Sequence, residues 1–206
     1  MAKNVFISFR FSDGSEYKEE LVKLFDDCED TIDCSEDQDR SDMTDEIIRQ
    51  YLYAKLKHSS VTIALITPQA IQYRIDTDGK INDWLYDEVR YSLENRDGNP
   101  TNGLIAVYVP EAKNLLMRVH NHCCNVCRQT SSVNSLIEYH NLIWTNMNNV
   151  KPEYKHHKCP GIFDGDWDSY CSLIPIEEFK ADVGKYIDIS LKKREEIYKY
   201  KLTKWL

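Results

Sequence analysis

The chain has 206 residues and is 42% hydrophobic, enough to bury the core of one good-sized domain. Its formal net charge of -8 argues against a nucleic-acid backbone as main partner, and seven cysteines, an odd number, exclude a complete internal disulfide framework. The opening MAKNVFISF reads as a strand rather than a secretory signal, and no apolar run could span a membrane, so a cytoplasmic protein with reduced thiols is expected.

VFISF (5–9) has the β-branched and aromatic content of a buried strand and runs into a loop at Ser12-Asp13-Gly14. SEYKEELVKLFDDC (15–28) places Leu21, Leu24 and Phe25 at helical spacing. TIDC (31–34) is a short strand candidate, followed by an acidic loop over 35–46 with no apolar stripe. EIIRQYLYAKLKH (46–58) predicts a helix burying Ile48, Leu52 and Leu56. VTIALI (61–66) is the clearest central strand, ended by Thr67-Pro68, and GLIAVYV (103–109) is another, closed by Pro110. Residues 111–170 have no clean period and read as an insertion, with some helix in NSLIEYHNLIW (134–144). SLIPI (172–176) supplies the last strand, and 177–202 reads as a long, interrupted, basic-ended helix continuing into a helical extension over 196–206.

Strands alternating with helices imply parallel strands and crossover helices. The predicted fold is a single α/β domain over 1–206: a flavodoxin-like five-stranded parallel sheet, helices on both faces, and an insertion before the last strand. Such sheets bind ligands beyond the carboxyl ends of their strands, where the strand order reverses. In the order 2-1-3-4-5 that point lies between the first and third strands. The candidate site therefore comprises Ser8, Arg10, the 35–46 loop, Thr67-Pro68 and a side chain from the helix in DWLYDEVRYSLENR (83–96).

On a wheel, Leu85, Val89, Ser92 and Leu93 form the core face of that helix, and Asp87, Arg90 and Glu94 the solvent face. Trp84, Glu88 and Tyr91 lie between. Glu88 thus sits at the core rim, one turn after an indole, where a half-shielded carboxylate can stabilise charge or move a proton. The bland alternative is a boundary acid beside a packed tryptophan.

Five segments, in order, resemble the TIR (Toll/interleukin-1 receptor) family: VFISFRFSDGS, TIDCSEDQDRSD, SSVTIALITPQAI, DWLYDEVRYSL and NGLIAVYVP. The match covers 3–110 and extends to 170–195. It is greatest to stand-alone bacterial TIR proteins of antiphage systems such as Thoeris. The resemblance implies cleavage of NAD⁺ into an ADP-ribose-type signalling nucleotide that reaches a separate effector by diffusion. NAD would be substrate, with no cofactor, and TIR contacts would allow self-assembly. Glu88 matches the family's catalytic glutamate. Trp84 would wall the site, and Phe9 and Arg10 match nucleotide-facing positions. The loop around Asp37 and Met43 would gate access. The 111–170 insertion has no counterpart in the family pattern.

The rival reading is a TIR scaffold that assembles with partners and catalyses nothing, as family adaptors do. A deoxyribosyltransferase-like enzyme using a glutamate on a similar sheet is a further alternative. A receiver domain would need an aspartate where the third strand ends in Ile66-Thr67, and no P-loop is present. VHNHCCNVCR (119–128), with His140, His156, His157 and Cys159 beyond it, contains one CxxC, Cys124 and Cys127, without the second pair usual in zinc sites. It reads as a loop of unpaired thiols and surface histidines, with no metal expected. The basic residues of LKKREEIYKYKLTKW are interleaved with acids and tyrosines and read as a solvated helix face.

Overall fold

All six residues of the VTIALI strand are buried, as a strand covered on both faces requires. It is the centre of the sheet in a computed structural model that describes residues 3–25, 31–34, 45–95, 98, 100–128, 130–136, 141–159 and 162–206. The elements in chain order are β1 (Lys3–Ser8), α1 (Phe11–Phe25), β2 (Thr31–Asp33), α2 (Asp45–Leu56), β3 (Val61–Ile66), α3 (Trp84–Leu93) and β4 (Gly103–Tyr108). Then come α4 (Lys113–Leu116), β5 (Met117–Cys123), β6 (Thr130–Leu136), α5 (Asn141–Thr145), β7 (Cys171–Pro175), α6 (Ile176–Ala181) and α7 (Val183–Glu195). The main sheet is parallel throughout, in the order β2-β1-β3-β4-β7, the flavodoxin-like order expected.

Strand alternation assigns the two faces. Val5 and Ile7 share the large core with Leu21 and Phe25 of α1, whereas Phe6 packs with Leu52 and Leu56 of α2. Ser8 shares Phe6's face, and Thr62, paired in register with Phe6, reaches Ser92 of α3. On the opposite face, Gly103 lies against Ser190 of α7, so closely that a Cβ there would collide with the serine's hydroxyl and backbone. Helices therefore cover both faces.

Several expectations need correction. α1 begins at Phe11, so Ser12, Asp13 and Gly14 lie in its first turn rather than a loop, with the Gly14 N–H bonded to the Arg10 carbonyl at 2.7 Å. Residues 134–136 belong to β6, paired antiparallel with β5, and among the described residues the helix in that region spans Asn141–Thr145. The final helix is two helices, broken at Asp182, whose side chain instead caps α7 through the Lys185 N–H. The 196–206 extension has only a short 3₁₀ turn at Ile197–Lys199. Its later backbone is held by the insertion: Lys201 N–H bonds the Asn149 carbonyl at 2.9 Å and Thr203 N–H bonds Asn146 Oδ1 at 3.0 Å. The insertion itself joins the core through Leu116, Leu142, Ile143, Val150 and Tyr170. Leu52 and Leu56 are buried as expected, while the Ile48 side chain lies outside the described residues. Among the described residues, no helix is long and apolar enough to cross a membrane.

Candidate active site

Ser8, the last residue of β1, presents its hydroxyl on the α3 face, where it donates to Oε2 of Glu88. Glu88 is buried, with 7% of its surface exposed. Removal from water raises its pKa from 4.5 to about 8. The Ser8 hydrogen bond and the Arg10 cation oppose the rise, and the neighbouring acids Asp83 and Asp87 reinforce it.

The helix carrying Glu88 is fixed from both ends. Asp83 caps it, extended at φ -147°, with its side chain accepting the Tyr86 N–H at 3.2 Å. Its second oxygen accepts the Arg74 N–H at 2.6 Å and the Arg10 guanidinium. Asp83 and Arg10 are both buried, so this is an ion pair withdrawn from solvent, and Arg10 also donates to the Gln72 carbonyl at 3.4 Å. The Arg10 Nε is buried with no partner among the described residues. At the back of α3, Ser92 Oγ donates to the Glu88 carbonyl at 2.7 Å and meets Thr62 Oγ1 at 2.7 Å, and Asn102 joins Thr62 to Ser59.

Ser8, Arg10 and Glu88 are thus brought together, with Asp83 as the residue sequence reading missed. Its signal was an aspartate directly before a helix with an apolar stripe. Thr67 is placed differently: its hydroxyl donates to Asp13 Oδ1 at 2.7 Å, while the Gln69 N–H bonds Asp13 Oδ2 at 2.9 Å. These bonds clasp the start of α1 to the end of β3, as the facing of the two loops required. Phe9 is half-buried, its ring 4.6 Å from that of Phe11 and placed where a Cβ at position 14 would lie 3.4 Å from it. Trp84 joins the small cluster of Phe6, Leu52 and Leu56, with the Arg49 guanidinium 5.3 Å above its ring, so its described contacts run toward α2. Asp37 and Met43 lie outside the described residues.

The expected solvent face of α3 is covered. Asp87 pairs with Arg49 at 2.9 Å and Arg90 at 3.6 Å, Arg90 reaches Glu94 at 3.4 Å, and Arg90 lies 4.5 Å from the centre of the Trp205 ring. Tyr86, absent from the predicted core face, is buried edge-on against Tyr73 of the preceding connection. The basic end of the chain is not simply solvated either: Lys193 is buried, donates to Ser172 at 2.6 Å, and has its pKa lowered by burial to about 8.

Two features lie elsewhere. A cleft of about 910 Å³ in the insertion is lined by residues such as Met147, Asn149, Lys155, Phe163 and Lys201, with none from β1 or α3. The sulfurs of Cys124, Cys127 and Cys159 all lie within 4.8 Å of one another. Backbone N–H groups of Cys127 and Val126 lower the Cys124 thiol to about 7, and burial pushes Cys159 up to about 11. Sequence reading paired Cys124 with Cys127 and noted Cys159 beyond them, but spacing alone could not show that Cys159, rather than a histidine, meets the pair.

In comparisons with known proteins, the chain matches no family model and no curated protein.

Proposed function

We propose that this chain is a TIR-type enzyme that cleaves the nicotinamide–ribose bond of NAD⁺. Its product would be an ADP-ribose-type signalling nucleotide, cyclic or conjugated, that activates a separate effector in antiphage defence within the cytoplasm. The observation that carries the reading is the buried Glu88 carboxyl beside Ser8, at the ends of the strands where the sheet order reverses.

When the glycosidic bond breaks, nicotinamide leaves as a neutral molecule with the bonding electron pair, and cationic character grows at the ribose carbon. A carboxylate beside that carbon stabilises the charge, and its burial makes the interaction stronger than it would be in water. Glu88 must be ionised to do this. The cationic pyridinium of NAD⁺ favours that form, because an opposite charge nearby lowers a carboxyl pKa. An internal hydroxyl that attacks the ribose carbon and loses its proton closes the cyclic product, an added nucleophile attacking in the same way forms the conjugate, and water in their place gives ADP-ribose. The Arg10 Nε, buried and without a partner among the described residues, is suited to a phosphate oxygen, with Phe9 and Trp84 bounding the nucleotide.

The test is nucleotide analysis of NAD⁺ incubated with the purified protein and with lysate of phage-infected cells expressing it. Wild type should release nicotinamide and a new ADP-ribose-type species, and Glu88→Gln should not. Identical profiles from two folded proteins would favour the scaffold that acts by assembly.

A further inference from the structure

We propose that Cys124, Cys127 and Cys159 bind a zinc ion that ties the β5–β6 turn to the segment leading into β7. The mutual spacing of the three sulfurs is the first observation. Thiolates at ~2.3 Å from zinc in a tetrahedron stand about 4 Å apart, so the ion fits among these three with small adjustment.

The local backbone is the second observation. Cys124-Asn125-Val126-Cys127 folds into a tight turn in which the Arg128 N–H bonds the Cys124 carbonyl at 2.8 Å. Arg128 holds φ at 63°, a left-handed conformation costly for a side chain of its size. The turn so held keeps the sulfurs of Cys124 and Cys127 within 4.8 Å of each other and of Cys159.

Third, the trio is shielded. Cys124 and Cys159 are buried, and no disulfide joins any two of the three. Three sulfurs select a soft ion such as zinc over magnesium or calcium. They fill three of four tetrahedral corners and leave one for solvent or another donor. Binding displaces the thiol protons. The role is structural: a two-stranded hairpin is marginal alone, and the ion would anchor it to a loop already fixed by Asp168, which accepts the N–H groups of His156 at 3.0 Å and Asp164 at 2.8 Å.

The test uses the full chain, expressed with added zinc and purified under reducing conditions without chelator. Elemental analysis should find about one zinc per chain in wild type and in Cys34→Ser, and none in Cys127→Ser or Cys159→Ser. Cobalt(II) added to metal-stripped wild type separates loss of a ligand from loss of fold. It should give a thiolate-to-cobalt charge-transfer band and tetrahedral visible bands, both abolished by zinc. Metal-free wild type with no such spectrum would overturn the proposal. So would zinc retained by a folded Cys159→Ser, or thiol trapping in intact cells that finds two of the three joined as a disulfide.

Discussion

Ser8 and Glu88, separated by 80 positions in sequence, meet in a buried hydrogen bond between the end of β1 and the middle of α3. The bond gives the carboxyl a polar partner where burial would otherwise leave it alone. It also makes the state of Glu88 sensitive to one hydroxyl.

Ser8→Ala removes a group that lowers the Glu88 pKa, so that pKa should move further up. In the proposed reaction the ionised carboxylate is the active form, and kcat/KM reports the free enzyme. Wild-type kcat/KM should therefore rise with pH to a plateau above about 8, and the rise should move to higher pH in Ser8→Ala. A pH series of initial rates for both proteins checks this.

Glu88 also governs stability. Its folded-state pKa of about 8 lies above the ordinary 4.5, so the folded chain holds a proton that the unfolded chain releases. The stabilisation is fully present below about 4.5 and is lost as pH rises through about 8. Glu88→Gln carries no such proton. Urea unfolding should show similar stabilities near pH 5 and a variant more stable than wild type by roughly 2–4 kcal/mol at about pH 9.

Asp83→Asn keeps a side chain able to cap α3 but leaves Arg10 buried without its counter-charge. A loss of ~2–4 kcal/mol is expected by chemical denaturation, on the scale of breaking a buried pair from one side. The double variant with Arg10→Met should regain part of it, because the stranded charge is then gone. If Arg10 also holds a phosphate, Arg10→Lys should raise KM more than it lowers kcat.

Gly103→Ala tests the packing of α7 on the sheet. Its added Cβ would meet the Ser190 backbone, which a rotamer change cannot move aside. A destabilisation of about 1–3 kcal/mol, read from the denaturant midpoint with an unchanged slope, is expected.

The sheet was legible because its central strands are continuous apolar runs between proline and glycine signals, and parallel order follows from the alternating helices. Glu88 was legible as a rim residue from its angle on the wheel, though the wheel underestimated its burial. A wheel shows one helix. It cannot show that Arg49 and Trp205 cover the Asp87 side, or that Tyr73 covers Tyr86. Nor can spacing reveal that Lys193 turns inward to Ser172, or that the last residues pair with Asn146 and Asn149 instead of coiling. These are long-range contacts, decided by what the insertion and the C-terminal segment find to bury. Cys159 is the same case: its neighbours in sequence do not announce the CxxC it meets in space.

The central claim is that Glu88 makes this fold an NAD⁺-cleaving enzyme. The most direct measurement follows NAD⁺-derived nucleotides by chromatography and mass spectrometry in phage-infected cells expressing wild type or Glu88→Gln, with both proteins verified as folded. The expected result is a new ADP-ribose-type species in wild type, reduced at least ~100-fold in the variant, together with loss of protection. Equal nucleotide profiles, with cells still protected by the variant, would contradict it.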